Sequence, residues 1–83
     1  MADSPSNSQL VAALDAAAHA HHDYEQSFLG GVSDAQWPGF YAAYVLGRLG
    51  DFATPTDLAR WLQGAPAADG WSSSAATHVL AQL

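Results

Sequence analysis

The sequence contains no cysteine and no lysine, and its two arginines stand against eight carboxylates, giving a net charge of −6. Without thiols there is neither a disulfide framework nor a thiolate metal site, a composition that suits a protein of the cytoplasm. Lys and Arg supply most of the affinity for phosphate backbones, so the acid excess predicts repulsion from DNA, RNA and anionic membrane surfaces. It favours a partner whose own surface is basic or apolar. No run approaches the roughly 18 consecutive apolar residues of a membrane span, and no basic segment leads into an apolar one, so neither a membrane anchor nor a secretory signal is expected. The phosphate-binding, zincin and dinucleotide fingerprints are missing, and "GWSSS" lacks the second glycine and the preceding strand of a nucleophile elbow.

What the chain does have is 83 residues, 49% of them hydrophobic. That length makes one small domain whose core is near the lower limit for independent stability. Much of the apolar content is alanine, so the three tryptophans, three tyrosines and three phenylalanines must supply much of the buried area.

Helical periodicity organises the chain. "MADSPSNS" reads as a flexible leader over residues 1–7, with the serines and Asn7 as candidate caps for a helix over about 8–28. At 100° per residue, Leu10, Leu14, Ala17, His21, Tyr24 and Phe28 share one stripe, whereas Asp15, His19, His22, Asp23 and Gln26 lie opposite. Gly30 and Gly31 end that helix. Ser33 and Gln36 have capping-box spacing, and Pro38 biases Trp37 against helical geometry, so a short turn over 33–37 should precede a helix over 38–49. That helix carries Phe40, Tyr41, Tyr44 and Val45 towards one side and Ala42, Leu46 and Leu49 on another, the pattern of a central helix. An exposed patch at Ala42, Leu46 and Leu49 would mark a partner surface. Thr54, Pro55 and Asp57 open a third helix over 55–63 that turns Leu58, Trp61 and Leu62 inward. After "APAAD", a fourth runs over 71–82 with Ala76, Val79, Leu80 and Leu83 in register. The expected fold is all-α, a compact bundle of four helices forming a single domain over residues 8–83.

"HAHHDYE" concentrates three of the four histidines in one stretch. His19 and His22 fall on the polar face with Asp15 and Gln26; a solvated helix face is the reading preferred over a metal ladder, because no cysteine or second ligand set accompanies them. His21 differs, since it occupies the middle of the apolar stripe where leucine would be the default. A buried imidazole needs a partner, as an unsatisfied polar group costs about 1–3 kcal/mol. Glu25, four residues on, can accept from a ring nitrogen, as can a tyrosine hydroxyl or a backbone carbonyl. The competing readings are a polar group in a pocket walled by Tyr24, Trp37 and Tyr41, and a metal ligand or general base. Arg48 lies on the Trp37–Tyr41–Tyr44 side of its helix. It can pair with Glu25 in a His21–Glu25–Arg48 network, cover aromatic surface with its stem, or receive an anion.

Two fold-level comparisons fail. "TPTDLARWLQG" followed by "SSSAATHVLAQL" has the outline of a helix-turn-helix, but its second helix carries no Arg or Lys to meet DNA. An acyl carrier protein would place its attachment serine after an aspartate, whereas here Ser33 precedes Asp34.

The stretch "AHHDYEQSFLGGVSDAQWPGFYAAYVL" resembles a family of small bacterial helical proteins of unassigned function. Their pattern is A-H-x-x-Y-E followed by G-G-V-x-D-x-x-W-P-x-[WF]-Y-A, found alone or beside glyoxalase/bleomycin-resistance-like domains. The residues that carry the likeness are Ala20, His21, Tyr24, Glu25, Gly30, Gly31, Val32, Asp34, Trp37, Pro38, Tyr41 and Ala42. It covers about a third of the chain, implies no catalytic activity, and selects His21 over His19 and His22.

The sequence therefore predicts a non-catalytic helical accessory or protein-interaction domain, self-associating as a dimer or binding a protein partner, with a structural His–Glu–aromatic cluster. The alternative is a small-molecule or metal-binding protein, conceivably an enzyme, using a pocket of His21, Glu25, Tyr41 and Arg48. No cofactor, catalytic residue or metal ligand is assigned.

Overall fold

The computed structural model describes residues 4–30, 35–66 and 70–83. Four helices follow one another: α1 (Asn7–Phe28), α2 (Trp37–Leu49), α3 (Pro55–Gly64) and α4 (Trp71–Gln82). There are no strands among the described residues, and the fold is the expected all-α four-helix bundle.

α1 begins one residue earlier than the apolar pattern suggests. Ser6 is its cap: the hydroxyl accepts from the Gln9 N–H at 3.1 Å and the Gln9 amide oxygen accepts from the Ser6 N–H at 2.8 Å. This reciprocal pair satisfies two of the orphan donors at a helix start. Pro5 is buried, so the tail of the expected leader belongs to the fold. At the other end the Leu29 N–H donates to the Glu25 carbonyl, and Gly30 follows at φ +62°, a left-handed conformation that glycine adopts without strain. Gly31 and the Ser33 half of the proposed capping box lie outside the described residues.

α2 starts at Trp37 rather than Pro38. The proline occupies the first turn, where its missing N–H is not required, and the N–H groups of Gly39 and Phe40 both donate to the Gln36 carbonyl. The bias that proline places on its predecessor is overridden here by the position of Trp37 at the very edge of the helix. α3 has its expected cap, with the Thr54 hydroxyl accepting from the Asp57 N–H at 3.1 Å.

The helices pack in a closed ring. α1 touches α2 and α4, and α3 touches α2 and α4, with no close backbone approach between α1 and α3 or between α2 and α4 among the described residues. Leu10 and Leu14 of α1, Val45 of α2, Leu58 and Leu62 of α3 and Val79 of α4 are fully buried at the centre. Each contributes about 1.5–3 kcal/mol by leaving water. Two residues on predicted apolar stripes are exposed instead. Phe28, in the last turn of α1, is 77% exposed, and Leu83, after α4, is 46% exposed. Ala42 and Leu46 are 1% and 6% exposed and Leu49 packs against the core, as a central helix with two apolar sides requires, so these residues form no exposed patch that would mark a partner surface. Phe52, in the connection after Gly50, is buried although no helical pattern pointed to it.

Candidate aromatic site at one end of the bundle

His21 is buried, at 7% exposure, as its place on the α1 stripe requires. It is enclosed by rings: the centroids of Phe40, Tyr41 and Tyr24 lie 4.9, 5.4 and 6.4 Å from its own. Tyr41 meets it edge-on, the favoured geometry when a ring edge faces another's electron-rich face. Glu25 is the i+4 neighbour, with its carboxylate oxygen 3.9 Å from His21 Nδ1. That separation is longer than a hydrogen bond but suits an electrostatic contact with a protonated ring. Among the described residues no buried side-chain nitrogen or oxygen lacks a hydrogen-bond partner.

From His21 the rings continue in both directions. Outward along α1, Tyr24 contacts Phe40 at 5.4 Å and Phe28 at 5.5 Å. Across the end of the bundle, Tyr41 contacts Trp37 at 5.3 Å, and both contact Trp71, the first residue of α4, at 5.6 Å. Trp37, Tyr41 and Trp71 stand nearly perpendicular to one another, with interplanar angles of 79°, 81° and 85°. Among the described residues, these three line a solvent-open cavity of about 210 Å³. All three are half-buried.

Burial raises the Tyr41 phenol above the ordinary tyrosine range, and the negative charge of Glu25 adds to the shift. Each effect disfavours the phenolate: the first because burial withholds solvation, the second because like charges repel.

Of the predicted site residues, the structure gathers His21, Tyr24, Glu25, Trp37 and Tyr41 at one end of the molecule. Arg48 is not among them. It lies in the last turn of α2, seven residues beyond Tyr41, and is exposed. At 1.5 Å per residue that is about 10 Å along the helix from Tyr41. No ion pair joins Arg48 to Glu25 among the described residues. The spacing i, i+7 put Arg48 on the correct face but could not report that α1's Glu25 packs against the opposite end of α2. The proposed His21/Glu25/Tyr41/Arg48 pocket is therefore not assembled. Phe40 and Trp71 are its unforeseen members. Phe40 belonged to a recognised aromatic face, while Trp71 gave no local signal beyond being one of three tryptophans in a chain short of large side chains.

His19 and His22 are exposed, with His19 Nε2 3.9 Å from its i+4 neighbour Asp23. No cluster of three or more His, Cys, Asp or Glu side chains is placed to hold a metal ion among the described residues. Asp15 of the same polar face has a different task, accepting a 2.6 Å hydrogen bond from the Ser72 hydroxyl of α4. No helix among the described residues is long and apolar enough to cross a membrane. No protein-family model, curated protein or solved structure matches the chain.

Proposed function

We propose that this protein is a helical accessory or interaction domain that docks a protein partner on its aromatic end. The observation that carries the reading is Phe28: a large apolar ring 77% exposed on the last turn of α1, continuous through Tyr24 and Phe40 with the His21 cluster. An exposed aromatic costs solvation and is of the residue class enriched in the energetic centre of interfaces. The neighbouring half-buried rings extend it into a surface rather than a single protrusion. With a net charge of −6, a basic or apolar partner surface is favoured and self-association is opposed by repulsion. In this reading His21 is a packing residue, its ring bridging α1 and α2, and the chemistry of the site is recognition rather than catalysis. A cytoplasmic setting belongs to the same proposal and rests on the cysteine-free composition. So does membership of the small bacterial helical family of unassigned function that the Ala20–Ala42 pattern resembles, found alone or beside a second domain.

The test is site-specific photo-cross-linking in the cells that make the protein, with the cross-linker at position 28 or, as a control, at the exposed position 60 on α3. Adducts of defined mass from position 28 alone support the reading. Adducts from position 60 alone, or from neither, contradict it.

A further inference from the structure

We propose that the corner formed by Trp37, Tyr41 and Trp71 is a binding site for an organic cation of the quaternary or methylated ammonium class. Three nearly perpendicular rings in mutual contact define a trihedral corner, and the cavity they line is open to solvent on the remaining side. Its volume of about 210 Å³ far exceeds the roughly 30 Å³ occupied by one water molecule in the liquid. Among the described residues the walls are aromatic, with little polar surface to offer an anion or a hydrogen-bonding ligand. A rounded cation seated in the corner can touch three rings at once, and a ring that turns its negative face to the cation attracts it.

The charge of the surroundings has the right sign. Glu25 acts electrostatically on Tyr41, one wall of the corner. The chain has no lysine, and neither Arg48 nor Arg60 lines the cavity, so no long cationic side chain of its own occupies the corner. Arg60 is paired instead with Asp57 on α3. A primary ammonium is strongly hydrated and gives up water reluctantly. A quaternary ammonium has no N–H to leave unsatisfied and exposes methyl groups to the rings. That difference selects the methylated class.

This inference goes beyond partner docking at Phe28 and stands separately from it. The same ammonium chemistry can arrive as a free metabolite or on a methylated lysine side chain, and the measurements separate the two. Calorimetric titration of the full chain with choline is compared with its neutral isostere 3,3-dimethylbutan-1-ol. The expected result is saturable 1:1 choline binding at least about ten-fold tighter than the alcohol. Glu25→Gln should weaken choline about three-fold or more and leave the alcohol unchanged, and Trp71→Phe should weaken choline with the helical spectrum retained. A trimethyllysine peptide that binds tighter than choline identifies the peptide-borne source; equal affinity identifies the free cation. Absence of saturable choline binding by the folded protein, or equal affinity for choline and the alcohol, overturns the proposal. Neither result bears on cross-linking from position 28.

Discussion

Trp37 and Trp71 cross edge to face with their ring centroids 5.6 Å apart, although no Cα atoms of α2 and α4 come within 8 Å of one another among the described residues. These helices are diagonal in the ring of four, and at this end side chains rather than backbones close the gap. The three-ring corner is thus both a packing device and a surface feature. Removing any one ring loosens the meeting of α2 and α4 at this end.

Trp71→Ala should accordingly destabilise the fold by about 2–3 kcal/mol, below the 3–5 kcal/mol of a fully buried aromatic because Trp71 is half-buried. Trp71→Phe should recover most of that loss. Chemical denaturation with an unchanged denaturant slope measures both.

Burial raises the Tyr41 phenol, with Glu25 as the lesser cause, and this has a definite pH consequence. The folded state holds the Tyr41 proton to higher pH than the unfolded chain does. Between the unfolded pKa of about 10 and the higher folded value the native state binds more protons, so stability falls as pH rises through that window. The contribution is fully present below pH of about 10. Tyr41→Phe should remove this part of the alkaline loss. Glu25→Gln should lower the Tyr41 titration midpoint, read by phenolate absorbance against the Tyr41→Phe background, without returning it to the ordinary value.

The hydrogen bond from Ser72 to Asp15 joins the start of α4 to the middle of α1 at 2.6 Å. Ser72→Ala or Asp15→Asn should each cost about 0.5–1 kcal/mol, the modest figure expected of an exposed charge-assisted contact. A double-mutant cycle should show coupling, and the effect of Asp15→Asn should shrink in high salt.

Phe52→Ala should destabilise by about 2–4 kcal/mol, despite lying in a connection rather than a helix, because its ring is buried in the core. Thermal unfolding compared with the exposed control Leu83→Ala measures the difference.

Much of the fold was legible in the sequence. Leu10, Leu14, Ala17 and His21 share a stripe at helical spacing and are all buried, because one amphipathic face of α1 has to meet the bundle. The Thr54 cap and the Gly30 stop are local chemistry, and local chemistry is what a sequence records. The departures have a common cause. Phe28 continues the stripe yet is exposed, since periodicity gives the direction of a side chain but not what packs against it. Ala42 and Leu46, on the second apolar side of α2, are buried as a central helix requires, but the spacing alone did not say which neighbour meets them. Arg48 has the right face and the wrong height, and Trp71 joins the site through a contact between diagonal helices that no spacing rule encodes.

The account depends most on the claim that the exposed ring of Phe28 serves recognition rather than stability, and Phe28→Ser tests it most directly. Equilibrium unfolding and partner capture should be measured on the same preparation. The expected result is a stability within about 0.5 kcal/mol of wild type, as for other exposed positions, together with loss of a partner that the wild-type chain retains and Leu83→Ser still captures. A variant that keeps the same partner at undiminished yield, or that loses several kcal/mol of stability, would contradict the account.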